Sequence, residues 1–189
     1  MRFLSIFIST IFIFLNIGKI LSSKKTSIFL FDIDNTICDT WKTIPKVKYR
    51  GLSYIISERD RVANLDIFLN MKKKIFDINQ DSNNIIFLLS ARNLYLLDTT
   101  YYYFKSFGLI KRIDQCLLVR SPADKIYLLK LICKITKKKI IFYDDFSYNH
   151  ENGKVLFYDN LINEIKKLKI EYYDSNDILQ INKNKLGKK

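Results

Sequence analysis

Ser27-Ile-Phe-Leu-Phe-Asp-Ile-Asp-Asn-Thr36 joins a short apolar run to two aspartates one residue apart. Ile28, Phe29, Leu30 and Phe31 are β-formers in a run too short for a solitary helix, the pattern of a strand buried on both faces. Asp32 then stands at the strand's C-terminal end, where loops leaving adjacent strands of an open α/β sheet diverge and leave a crevice. Side chains alternate along an extended strand, so Asp32 and Asp34 share a side only if the chain stays roughly extended. Two carboxylates about 4 Å apart repel by roughly 4 kcal/mol at an effective dielectric near 20, which calls for a cation beside them. Taken alone, the stretch has a plainer reading, a strand followed by a polar turn in which Asp34 and Asn35 cap the next segment.

The surrounding chain supports the first reading. Its 189 residues suit one domain with a real core, and 48% hydrophobic and 14% aromatic content excludes a disordered chain. A net charge of +13 invites a nucleic-acid or anionic-membrane partner. The lysines, however, are dispersed among Ile and Asn instead of forming a basic stripe interleaved with aromatics, and the clusters at 72–74 and 137–139 read as solvated positions at a helix end or turn. Cys38, Cys116 and Cys133 are widely spaced and form no CxxC, which supports neither a disulfide framework nor a zinc site and fits a reducing compartment. His150 is the single histidine, so metal triads built on histidine are excluded, and no G-x-S-x-G accompanies it.

In chain order, residues 3–21 are almost wholly apolar, long enough for a short membrane span or a signal-like core; a helix lying on the domain is the alternative. Residues 1–23 are thus set apart from a domain at 24–181 and a basic tail at 182–189. After Thr36 the chain to about Tyr54 reads as a loop over the strand end. Ser57 opens a helix, answered by Asp60, with Val62, Leu65, Leu69 and Phe76 as its apolar stripe. Ile85 to Leu89 is a second buried strand, ending in Ser90-Ala-Arg92. A helix from Asn93 to Phe107 stops at Gly108, whose missing side chain suits a left-handed cap. Cys116 to Val119 is a third strand. Ser121-Pro122 begins a helix with Ser121 as cap and Lys125 in the first turn. Ile140 to Tyr143 is a fourth strand ending in Asp144-Asp145. A polar loop containing Asn149, His150 and Asn152, a helix at 160–169, a weak strand at 170–173 and a tail without signals complete the chain. Strands alternating with helices predict an α/β fold, a doubly wound, mainly parallel Rossmann-like sheet with helices on both faces.

Four strand-end motifs in order, FDIDNT (Asp32, Asp34, Thr36), FLLS (Ser90), the helix-borne Lys125 and IIFYDD (Asp144, Asp145), resemble those of the haloacid dehalogenase superfamily of phosphotransferases, over about residues 27 to 150. The resemblance implies a phosphomonoester hydrolase in which Asp32 is the nucleophile that forms an aspartyl phosphate and Asp34 is the acid, then the base. It implies Mg²⁺ held by Asp32, the Asp34 carbonyl and one of the aspartate pair, Asp145 directly and Asp144 through water. Thr36, Ser90, Lys125 and Arg92 would bind phosphate, Arg92 by its fork, with an exposed Arg92 as the alternative; Lys130, deeper in the same helix, reads as exposed. The short stretch from Asp34 to Ser90 and the absence of a long insertion after Ser90 resemble members with a minimal cap. Polynucleotide phosphatase domains are similar in having Arg soon after Ser, although Asn35 replaces their more usual Gly. The implied partners are a phosphorylated small molecule, a lipid-linked phosphate or an oligonucleotide end. Two rivals remain: a catalytically silent adaptor tethered to a membrane, and a basic nucleic-acid-binding protein. Positive flanks at Lys19, Lys24 and Lys25 place an anchored domain on the cytoplasmic side, with an unanchored cytoplasmic domain as the alternative.

Overall fold

A computed structural model describes residues 2–22, 27–43, 51–151 and 154–183. The linker at 23–26, the loop at 44–50, Asn152 and the end of the basic tail lie outside the described residues. Two helices, α1 (Arg2–Leu15) and α2 (Ile17–Ser22), precede β1 (Ile28–Phe31). Next come β2 (Cys38–Asp39), α3 (Gly51–Ala63), β3 (Asp66–Ile67), α4 (Leu69–Gln80) and β4 (Ile85–Ser90). The second half holds α5 (Leu97–Ser106), β5 (Cys116–Leu118), α6 (Pro122–Ile135) and β6 (Ile140–Tyr143). Last are the hairpin strands β7 (Asn149–Glu151) and β8 (Lys154–Leu156), then α7 (Asp159–Lys166), β9 (Glu171–Tyr173) and α8 (Ser175–Lys183).

Five parallel strands form one sheet in the order β5-β4-β1-β6-β9, and the fold is a doubly wound α/β sheet. From the central β1 the chain builds outward through β4 and β5, then crosses back to place β6 on β1's other side, so the order reverses between β1 and β6. Phe31 is paired with Leu88 on one side and Tyr143 on the other, which aligns the C-terminal ends of all three strands. One face, with Leu30, Phe87, Leu117 and Phe142, packs on Ile13 and Ile20 of the N-terminal helices, Leu129 of α6 and Ile165 of α7. The other, with Phe31, Leu88, Ile141 and Tyr143, packs on Met71 and Ile75 of α4, Phe104 of α5 and Ile178 of α8.

Several expectations are corrected. The helix expected to open at Ser57 begins at Gly51, and Ser57 lies inside it with its hydroxyl donating to the Tyr54 carbonyl. That helix does not continue through Leu69. Asn64 closes it, and Cys38 pairs with Ile67 and Asp39 with Asp66, so strand pairing overrides local helix preference. The apolar stripe of α4 is accordingly Met71 and Ile75, while Leu69 and Phe76 are exposed. The Lys72–Lys74 cluster sits inside α4, not at its end; Lys72 lies over the Phe107 ring and Lys74 over Tyr143 and Tyr173. Ser121 does precede α6, but its hydroxyl makes no cap hydrogen bond. The region after Tyr173, read as a tail, contains α8, which begins with a reciprocal cap: Asp174 accepts from the Asn176 and Asp177 amides, and Asp177 accepts from the Asp174 amide.

Residues 3–21 fold as two helices instead of one span. Ser5, Ser9 and Ile13 of α1 face the domain, and Ser9 Oγ donates to the Leu118 carbonyl. Arg2 forms an ion pair with Asp124 at 2.7 Å. Among the described residues no helix is long and apolar enough to cross a membrane.

Candidate active site

The site grows from the ladder itself. The Asp32 amide donates to the Tyr143 carbonyl at 2.8 Å, one step past the last paired residue of β1, and the Asp144 amide donates to the Tyr173 carbonyl at 3.1 Å. Both carboxylates are thereby carried side by side out of a sheet whose order reverses between them. Asp145 follows, and ligand oxygens of Asp32, Asp144 and Asp145 lie within 4.8 Å of one another, all buried. α6 supplies the only ammonium within hydrogen-bonding reach of this cluster among the described residues: Lys125 Nζ stands 2.8 Å from Asp32 Oδ1 and 2.7 Å from Asp144 Oδ2. It is 2% exposed, and its ammonium lies 5.0 Å from the centre of the Phe146 ring.

If all three were ionised, the buried carboxylates would outnumber the one ammonium by two negative charges. Burial pushes the Asp144 carboxyl up, with Asp32 adding repulsion, to about 8 despite Lys125. Burial, with repulsion from Asp34, also raises Asp32, and burial with repulsion from Asp32 and Asp144 holds Asp145 well above the carboxylate range. Burial alone would lower the Lys125 ammonium, but the charges of Asp144 and Asp32 raise it. Asp144 Oδ1 and both oxygens of Asp145 find no hydrogen-bond partner among the described residues. Buried polar atoms are rarely left so. An all-oxygen set of this kind fits a hard divalent cation, which would favour the ionised carboxylates and give their free oxygens partners.

Asp34 belongs to a different pairing. Arg92 closes its fork on that carboxylate, Nε to Oδ2 at 2.9 Å and Nη2 to Oδ1 at 2.7 Å, while Ser90 Oγ donates to Oδ2 at 3.2 Å. Burial would raise the Asp34 carboxyl, but the charge and hydrogen bonds of Arg92, helped by Arg61 and Lys125, hold it at about 2. Arg92 is 5% exposed, so it is not the surface residue of the alternative reading, and its Nη1 has no hydrogen-bond partner among the described residues. Ser90 and Arg92 come together because β4 pairs with β1 in a register that carries Ser90 past Phe31's partner Leu88.

Thr36 is fully buried in the turn after Asp34, and its hydroxyl has no hydrogen-bond partner among the described residues. Asn35 at the position of the expected Gly adopts φ 57°, a left-handed geometry that Asn tolerates better than most residues. Its side-chain oxygen also accepts from Thr40 Oγ1 and the Trp41 amide, tying the turn to the segment above the strand ends. Lys130 is exposed, as read, and pairs with Glu164.

Two supporting residues carry no sequence signal at this site. Tyr172 donates its hydroxyl to the Asp144 carbonyl at 2.9 Å, steadying the aspartate pair from β9. Arg61 of α3, held by Glu58 at 2.8 Å, contributes positive charge near Asp34; treating residues 40–63 as a segment crossing the strand ends would have pointed to it. Comparisons of the chain with protein-family models, with curated proteins and with solved structures find no match, so the assignment of this site rests on its own geometry.

Proposed function

We propose that the chain is a Mg²⁺-dependent phosphomonoester hydrolase acting through an aspartyl phosphate, the reading implied by its resemblance to the haloacid dehalogenase superfamily. The observation that carries it is the buried cluster of Asp32, Asp144 and Asp145 around Lys125, whose carboxyls are raised by burial and by neighbouring carboxylates. Asp32 would attack phosphorus, forming an acyl-phosphate (mixed anhydride) bond as the bond to the leaving oxygen breaks. The leaving oxygen takes its proton from Asp34, which then accepts a proton from the water that releases inorganic phosphate. Lys125 would neutralise an equatorial phosphoryl oxygen and Asp32 in turn, with Ser90 donating beside it. Asp32, the Asp34 carbonyl and Asp145, with Asp144 beside them, would hold the Mg²⁺, which would supply charge that screens the carboxylates from the phosphoryl group.

Arg92 has a more specific part than binding phosphate. While its fork holds Asp34, that carboxyl stays ionised and cannot donate a proton. A phosphoryl dianion entering the crevice offers the guanidinium another partner, and Asp34 then becomes free to take up a proton.

The localisation that accompanies this reading is the cytoplasm, with or without attachment to a membrane, supported by three free thiols. The test is phosphate release by the purified full-length chain from phosphorylated sugars, nucleotides, oligonucleotide ends and lipids. Turnover with Mg²⁺, lost on chelation and regained on Mg²⁺ addition, is expected. Chelator-resistant turnover, or none on any class, overturns the proposal and leaves the silent adaptor or the nucleic-acid binder.

A further inference from the structure

The N-terminal helix carries a second apolar side besides the one on which Ile6, Phe12 and Ile13 pack on the core. Its domain-facing side carries Ser5, Ser9 and Ile13, while Phe3, Leu4, Phe7, Ile11, Phe14 and Leu15 turn outward, Phe3 88% and Phe7 62% exposed. Positions 3, 7, 11 and 14, with 4 and 15 beside them, recur at three- and four-residue intervals, so they form one continuous stripe along the helix. The inner side is already filled by Ser5, Ser9, Ile6, Phe12 and Ile13, so the outward stripe of large apolar side chains is left in water, an arrangement that core packing does not explain.

The border of this stripe is basic. The turn Ile113–Gln115 packs against α1 and adds the exposed Ile113 to the apolar patch. Lys111 and Arg112 precede it and stand near Lys19 of α2, whose ammonium is lowered by burial and by those two charges, with Asp114 opposing; Arg112 itself is paired with Asp114. Lys24 and Lys25 follow in the sequence, and the whole chain carries +13.

We propose that α1 is an interfacial helix that lies in the plane of an acidic phospholipid bilayer, its Phe3–Phe7–Ile11–Phe14 stripe among the acyl chains and the Lys19 and Lys111 border on the headgroups. The proposal is independent of the catalytic reading. Charge complementarity selects this occupant. A second copy docked through the same stripe in a two-fold pair would bring basic borders together, whereas anionic headgroups neutralise them. Length selects the orientation: 14 helical residues span about 21 Å, short of a hydrocarbon core of roughly 30 Å, and the inner side is committed to the domain through Ser9 and Arg2.

Flotation of the full-length protein with phosphatidylcholine vesicles, with and without phosphatidylserine, tests it, alongside sedimentation without lipid. Flotation with the acidic vesicles, weakened by salt, is expected. The outward-facing triple variant Phe7→Ser, Ile11→Ser, Phe14→Ser should bind about tenfold more weakly or worse while melting like the parent. Lys19→Glu with Lys111→Glu should remove the preference for acidic lipid. The proposal is overturned if the parent stays unbound, if it floats equally well with neutral vesicles, or if the triple variant binds undiminished. It is also overturned if the parent sediments as a dimer that the triple variant dissociates, or if bound protein resists carbonate as a spanning segment would.

Discussion

Asp32 and Asp34 lie two residues apart but sit in opposite electrostatic settings, one among carboxylates, the other in the fork of an arginine. Asp32→Asn should therefore abolish turnover, by about 10⁴-fold or more as for other essential nucleophiles, while the melting temperature holds or rises because a crowded buried charge is gone. A phosphate-release assay beside a thermal melt checks both halves, and an active Asp32→Asn enzyme refutes the nucleophile. Arg92→Ala leaves Asp34 without its partner. A fully buried pair so broken costs about 3–5 kcal/mol, and because the Asp34 side chain is 31% exposed the expected loss is nearer 2 kcal/mol by denaturant titration. Arg92→Lys should restore stability in part and activity little, since an ammonium cannot hold a carboxylate by two parallel bonds. The paired aspartates were legible at this scale because each interrupts an apolar run. The Arg92–Asp34 pairing was not, since it depends on which strands become neighbours.

Among the elements, strands buried on both faces announce themselves as unbroken apolar runs such as Ile28–Phe31 and Ile140–Tyr143, and Gly108, at φ 69°, closes α5's turn as its residue type suggested. The segments that misled have local patterns overruled from a distance. Leu65 continues a helical stripe in the sequence, yet residues 66–67 are captured by β2, and the Tyr103 hydroxyl bonds the Leu65 carbonyl. α8 is the reverse case: Asp174 and Asp177 form a capping box that the sequence displayed, and Ile178 with Ile181 supplies its inner side. Asp174→Ala should lower stability by about 1 kcal/mol, read from the denaturation midpoint. An unchanged midpoint would mean that α8 is held by its packing and by the Asn70–Asn182 contact instead of its cap.

For the molecule as a whole, the buried carboxylates couple folding to protons and cations. Asp144, ordinarily ionised above about 4 in the unfolded chain, keeps its proton to about 8 when folded, so its contribution to stability is complete at acid pH and is lost as pH rises through that window. The chelated protein should melt at a lower temperature at pH 8 than at pH 6, and Mg²⁺ should raise the pH 8 value more, by neutralising what the protons no longer do. A pH-independent gain on Mg²⁺ addition, or none, argues against a cation among these aspartates. The central position of β1 also sets an order in time. As the chain leaves the ribosome, β4 and β5 emerge early enough to dock on one side of β1, but its other edge waits for β6, and with it Asp144 and Asp145. Until then an apolar edge strand stands open to other nascent chains, and any fragment ending before Ile140 should aggregate at that edge.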